Sequence, residues 1–311
     1  AFILFRPYTQ NKQSVRVYLT QETDVSKVAE QLREKQIVSN GFWFRMYARA
    51  MGVEKVPAGS YAIPAADNLF WLGRRFWLGR QTPVKLILGN ERNRLRTTRQ
   101  FAAKMQEFEY TRADSTAWMR FLGSNDSLIP YEVNLNTAMT RMLPLTYEVY
   151  WTDSPRKIYQ SMEQSWQRFW NEDRRKRATG IGLSPTEVTI LASIVEEETQ
   201  YQPDRPLIAS TYLNRLRIGM RLQADPTAKF AAGDFNARRV TYEHLHFPSP
   251  YNTYLVKGLP PGSICLPSIS SIEAVLDAPK TDYIYFVASY KFDGTSVFTK
   301  DYKDHLRNAK L

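Results

Sequence analysis

The segment from Ser184 to Thr199 constrains this chain more than any other. Ser184, followed by Pro185 and, three residues on, Glu187, forms a capping box with proline in the first turn, which fixes where a helix begins. Ile190, Leu191, Ile194 and Val195 then recur at helical spacing, so the helix is buried along one face and the surrounding chain must supply an apolar layer to receive it. The next position on that stripe is not aliphatic. It is Glu198, the last of three consecutive glutamates in LASIVEEET (Leu191 to Thr199), while Glu196 and Glu197 project more to the flanks. A carboxyl on a packed face costs free energy unless it is paired, bound or used. Three readings stay open at this point: a carboxylate satisfied by an arginine or a backbone N–H, a general acid or base that burial keeps protonated, or a helix end that has reached solvent.

A chain of 311 residues, 43% of them apolar, can bury a sizeable core and has the length of two domains or of one large domain with an appendage. Seven Trp, eighteen Tyr and sixteen Phe set it apart from disordered chains. The lone Cys265 excludes an intrachain disulfide and a cysteine-rich metal site, and reads as a small buried residue. His244 and His246 with Glu243 have chelating chemistry but not the pattern of a zinc site. The net charge of +11 points to anionic partners or an anionic surface. It is uneven: eight Lys or Arg and one acid, Glu91, lie between Gly73 and Arg99, and Arg174-Arg175-Lys176-Arg177 forms a second cluster. Nucleic acid, anionic lipid and an acidic polymer all suit such clusters. The opening Ala1 to Phe5 is apolar but too short to span a bilayer or serve as a signal peptide, and reads equally as the tail of a membrane helix or as a first strand.

The remaining patterns predict mixed α and β structure. Val15 to Leu19 alternates as a strand, Val25 to Leu32 and Phe42 to Tyr47 read as short amphipathic helices, and VPAGSYAIPA after Gly52 reads as a short strand. Together they make a small module suited to accessory binding. Leu69 to Leu78 reads as an aromatic packing segment that docks this module on the rest. Thr82 to Leu88 reads as strand, Thr97 to Phe108 and Asp114 to Leu122 as helices, and Pro144 to Trp151 as strand. Ser154 to about Ala178 is the longest helix, and a further one opens at Asp204 and Pro206 and stops at Gly219. Arg221 to Pro267, dense in Pro, Gly, Asn and Tyr, lacks periodicity and predicts an ordered but irregular substrate-binding loop. A short helix at Ile272 to Leu276, a buried strand at Tyr283 to Ala288, a strand at Ser296 to Phe298 and a last helix from Asp301 complete the chain.

LASIVEEET, Asn214-Arg215-Leu216 leading into RLQADPT (Arg221 to Thr227), YNTY (Tyr251 to Tyr254), GLPPG (Gly258 to Gly262) and the terminal YIYFVA, in that order, resemble the MltG/YceG family of bacterial endolytic murein transglycosylases. The resemblance covers most of the chain from about Val15 and is continuous from about Ser184. It implies an α+β fold in which a small LysM-like N-terminal module, residues 14–80, packs on a larger mixed catalytic domain, residues 81–311, with a buried glutamate-bearing helix. Residues 1–13 are then the remnant of a membrane anchor and linker. The family further implies a single-pass protein of the cytoplasmic (inner) membrane whose catalytic part faces the periplasm or cell exterior. Its catalytic glutamate stands directly before the Thr, which is Glu198, the residue the helical stripe also selects. Glu197 stands where many relatives carry Lys, and Cys265 where a small residue is usual.

A lytic transglycosylase breaks the bond after N-acetylmuramic acid without water, because the muramoyl C6 hydroxyl is the nucleophile. The second carboxylate of hydrolytic glycosidases is then unnecessary, and Glu198 alone would serve as acid and then as base. Gln223, Asp225, Asn252 and Tyr254 are the expected substrate contacts, since amides pair with sugar hydroxyls and a tyrosine offers a ring face and a donor. Asn252 and Asp225 equally suit turn capping, and Asp225 a salt bridge to Arg215 or Arg221. Neither step needs a Lewis acid or electron carrier, so no metal or organic cofactor is expected. The expected partners are peptidoglycan glycan strands and cell-wall synthesis proteins at the inner membrane, not nucleic acid, for which no reader motif is present. Two alternatives remain: a hydrolytic muramidase with Asp225 as second carboxylate, and a non-catalytic peptidoglycan-binding scaffold.

Overall fold

In the computed structural model, which describes residues 4–88, 96–105, 111–291 and 293–310, the chain opens with strand β1 (Val15–Leu19). β2 (Thr23–Asp24), α1 (Val25–Glu34), α2 (Phe42–Ala50), β3 (Lys55–Val56), β4 (Gly59–Ile63) and α3 (Leu69–Trp77) follow. β1 pairs antiparallel with β4, Val17 facing Tyr61, and β2 with β3. The period-two alternation of β1 turns Val17 and Leu19 inward, where they meet Val28 and Leu32 of α1, Phe44 of α2 and Leu72 and Phe76 of α3. Gly41 permits the close approach of α2 to α1, since a Cβ there would stand 2.6 Å from that of Ala29.

The chain forms two units. Residues 1–86, 103–118 and 147–158 make unit 1, and residues 87–102, 119–146 and 159–311 make unit 2. The later segments of unit 1 are tied to its first part: the Trp151 ring lies 5.2 Å from that of Tyr18, Gln81 Nε2 donates to Thr152 Oγ1 at 2.8 Å, and Arg112 Nη1 donates to the Thr20 carbonyl at 3.1 Å. β5 (Val84–Ile87) pairs with β6 (Thr146–Val149), and α4 (Thr98–Met105), α5 (Ser115–Gly123) and α6 (Asn125–Leu128) lie between them in sequence. The expected helix over Thr97 to Phe108 is seen to Met105, and its end lies outside the described residues, as do Ala1 to Ile3 of the apolar opening and Glu91 with its basic neighbours.

Unit 2 is mainly helical. α7 (Pro155–Phe169), α8 (Glu172–Gly180), α9 (Pro185–Glu198), α10 (Arg205–Arg217), α11 (Asp225–Ala232), α12 (Tyr242–His246) and α13 (Ile269–Leu276) precede the antiparallel pair β7 (Tyr285–Ala288) and β8 (Ser296–Thr299) and the last helix, α14 (Tyr302–Asn308). Val188, Leu191, Ile194 and Val195 of α9 sit at the centre of its core with Ile208 and Tyr212 of α10 and Ile272 and Val275 of α13. Cys265 is fully buried nearby and donates to the Ser193 carbonyl.

Four expectations change. The single helix from Ser154 to about Ala178 is two, because Asn171 accepts a hydrogen bond from Arg174 N at 3.0 Å and caps a new start. The basic cluster in α8 is largely engaged: Arg174 and Arg177 both pair with Glu273 of α13, and Arg177 also with Asp277. Arg221 to Pro267 is not uniformly irregular, since α11 starts at Asp225-Pro226 and α12 at a capping box on Thr241. The strand expected to be buried over Tyr283 to Ala288 is β7, which is partly exposed along its length. Among the described residues no single helix is long and apolar enough to cross a membrane; α8 and α9 together match such a span by length and composition, but they meet at 73° and α9 lies in the core.

Candidate active site

α9 ends on three carboxyls with different surroundings. Two residues of helix are a turn of about 200°, so Glu196 and Glu198 leave the helix on nearly opposite sides. Glu196, expected on a flank, is instead buried: its Oε2 accepts from Ser268 Oγ at 2.5 Å, Ser268 N at 3.2 Å and Ser271 Oγ at 2.6 Å, with Arg205 Nη1 at 3.3 Å. Burial pushes this carboxyl up, but the hydrogen bonds from Ser268 and Ser271 and the Arg205 charge outweigh it and hold it below the usual range. Glu197 pairs with Arg96 at 3.4 Å. The carboxylate satisfied by an arginine, one of the readings open for the stripe residue, thus describes its neighbours.

Glu198 faces a cleft of about 300 Å³, together with Tyr212, Arg215, Gln223, Asp225, Tyr254, Tyr285, Phe286, Tyr302 and His305. Its Oε1 accepts a hydrogen bond from the Tyr212 hydroxyl, one helix away on α10. Burial raises the Glu198 carboxyl to about 7; the Tyr212 hydrogen bond opposes this, the Asp225 charge adds to it, and Arg215 and Lys229 oppose it. A glutamate so placed holds its proton at a pH where ordinary carboxylates have lost theirs.

Arg215 organises the walls. Its Nε donates to the Ile284 carbonyl at 2.7 Å and its Nη1 to the Leu222 carbonyl, which ties α10 to the lead-in of β7 and to the turn before α11. In that turn Gln223 takes the left-handed conformation (φ 50°), and its N–H donates to the Thr253 carbonyl at 3.1 Å. Thr253 Oγ1 meets Thr227 Oγ1 at 2.7 Å and accepts from Ala224 N at 3.0 Å, locking the YNTY turn to α11. Tyr254 then donates its hydroxyl to Asp225 Oδ1 at 2.5 Å, and burial followed by that bond raises its own pKa.

Of the expected substrate contacts, Gln223, Asp225 and Tyr254 line the cleft with Glu198. Asn252 does not. It is fully buried, its Nδ2 is directed at the carbonyls of His244, Leu245 and Phe247 at 2.9–3.2 Å, and its Oδ1 accepts from Tyr254 N. It shapes the loop that presents Tyr254. Asp225 bonds to Tyr254, and Arg221 reaches the Tyr254 carbonyl at 3.1 Å, rather than the two forming the ion pair considered from sequence. Sequence reasoning missed Tyr212, Tyr285, Phe286, Tyr302 and His305 as cleft residues. Only Tyr212 carried a signal, as a polar-tipped ring on the inner face of the next helix. His244 faces Asp234 and Thr241 while His246 stacks on Tyr242, and among the described residues no three His, Cys, Asp or Glu side chains converge as metal ligands.

Residues 17–311 match the YceG-like family. The chain belongs to that family. An endolytic murein transglycosylase of Bacillus subtilis (strain 168) is 30% identical over 310 residues, covering 95% of this chain and 84% of the relative. One from Streptococcus pneumoniae (D39) is 24% identical over 333 residues, covering 96% of this chain, which spans 58% of that relative's length. A crystal structure of a yceG-like protein from Listeria monocytogenes superposes with a TM-score of 0.61 at 26% identity, covering 96% of this chain and 99% of the other.

Proposed function

We propose that the chain is an endolytic peptidoglycan lytic transglycosylase with Glu198 as its general acid and then its base. The observation that carries this is a carboxyl raised to about 7 that faces a cleft in a member of a family whose curated relatives bear that name. Glu198 gives its proton to the glycosidic oxygen of the departing N-acetylglucosamine. The muramoyl C6 hydroxyl attacks the anomeric carbon, its proton passes to the Glu198 carboxylate, and a 1,6-anhydro end results. Proton count and charge are restored on the enzyme, and no water enters. Tyr212 holds the carboxyl in place, while Gln223, Asp225 and Tyr254 contact the sugars. Asn252 supports Tyr254 from behind.

The strand–helix–helix–strand order of β1, α1, α2 and β4 supports reading the N-terminal region as a LysM-like glycan binder. The family supports a single-pass protein of the cytoplasmic membrane with its cleft on the outer side, working beside cell-wall synthesis proteins. Asp225 in the same cleft favours one second reading, hydrolysis with Asp225 activating water.

Mass spectrometry of glycan products separates them. The wild-type chain is expected to leave anhydro ends at internal bonds, Glu198→Gln to lose about 10²–10⁴-fold in rate, and Glu197→Gln to stay active. A product one water heavier makes the enzyme a hydrolase, and equal activity of the two variants removes Glu198 from the mechanism.

A further inference from the structure

One end of unit 1 carries exposed aromatic side chains set among arginines. Tyr8 brings its parts together: its N–H donates to the Asp67 carbonyl at 2.8 Å and its hydroxyl to the Asn40 carbonyl at 2.7 Å. A single residue, by its backbone and its side chain, therefore spans from just ahead of α3 to just ahead of α2, so the first turns of both helices share one end with the segment that leads in from Leu4. Phe42 and Trp43 stand out from α2 at 50% and 43% exposure, Trp71 from α3 at 50%, and Phe5 at 60%. The Phe5 ring lies 5.3 Å from Phe70 and Phe70 lies 5.1 Å from Trp71, while the Arg74 guanidinium sits 5.5 Å from the Phe70 ring. On α2, Arg45 is exposed and its charge acts on the Tyr8 hydroxyl. Neither helix contains an acidic residue, and Asp67 is paired with Arg75.

A sugar platform needs amides or carboxylates beside its rings to take the hydroxyls. The two amide oxygens at hand are taken by the helix starts: Asn40 Oδ1 accepts from Phe42 N at 3.1 Å and Asn68 Oδ1 from Trp71 N at 2.9 Å. What remains is exposed ring bodies, which leave water readily, with the exposed Arg45 and the half-buried Arg74, whose guanidinium heads match phosphate.

We propose that this end of unit 1 docks on an anionic phospholipid surface, its rings entering the headgroup layer and Arg45 and Arg74 pairing with lipid phosphates. Such docking acts in addition to any anchoring segment and stands apart from the cleavage reaction. The test is cosedimentation of the chain with vesicles of phosphatidylglycerol and phosphatidylcholine, beside vesicles of phosphatidylcholine alone. The chain is expected to bind the anionic vesicles, and the double substitutions Trp43→Ser with Trp71→Ser and Arg45→Gln with Arg74→Gln each to lower partitioning by at least about tenfold. Their circular dichroism and their retention on isolated peptidoglycan should not change. The proposal is overturned if the chain ignores anionic vesicles or if the arginine pair binds them as the wild type does. It is equally overturned if the substitutions abolish retention on peptidoglycan while vesicle binding persists, which would make the face a wall contact.

Discussion

At the scale of single residues, the burial of Glu198 couples its proton to stability and, on the role proposed for it, to activity. Folding raises its carboxyl from the ordinary glutamate value of 4.5 to about 7, so the fold disfavours its charged form. The stability this side chain permits is intact below 4.5 and is lost as pH rises through about 7. Glu198→Gln should therefore stabilise the chain at pH values above about 7, by up to about 3 kcal/mol, and change little at pH 4. Urea titrations at the two pH values read this out, and equal effects at both would contradict the burial of that carboxyl. On the role proposed for Glu198, kcat/KM should fall on the alkaline side of about 7, where the acid has lost its proton. Of these residues, Glu198 was legible because a capped, strongly periodic helix gives its register. Asn252, expected at the substrate, is instead engaged by three carbonyls, and an amide that serves three carbonyls looks in sequence like one that serves a sugar. Tyr285, Tyr302 and His305 come from the far end of the chain, and no local pattern reports that they return to the cleft.

Among the elements, short starts inside loops were the hardest to see. α11 and α12 are eight and five residues long, too brief for periodicity, and only their Asp-Pro and Thr starts mark them. The break between α7 and α8 is hidden because Trp166 and Trp170 continue the apolar spacing across it while Asn171 quietly supplies a cap. The GLPPG string contains a measurable constraint. A Cβ on Gly262 would stand 2.0 Å from the Asn136 carbonyl oxygen and 2.9 Å from the Tyr251 hydroxyl. Gly262→Ala should thus cost about 3 kcal/mol or more through overpacking, seen as a lowered Tm. A variant that melts with the wild type would mean that this loop has room the structure does not show.

For the whole molecule, the chain's path between its units matters more than their content. The division expected at residue 80 leaves out the contributions of residues 103–118 and 147–158 to unit 1. A fragment of residues 81–311 would carry Trp151 and Arg112 without Tyr18 or the Thr20 carbonyl that they meet. Such a fragment should aggregate or unfold with reduced cooperativity in a denaturant titration, and a sharp, reversible transition would show that the later segments fold without their partners. The same path bears on synthesis. A ribosome releases β1 through α3 early, yet the indole of Trp151 that closes over Tyr18 emerges only about midway through the chain. Until then the nascent protein holds an apolar face open to water, a natural target for a chaperone. The first-made unit is completed late, and its completion requires the closure of a long loop.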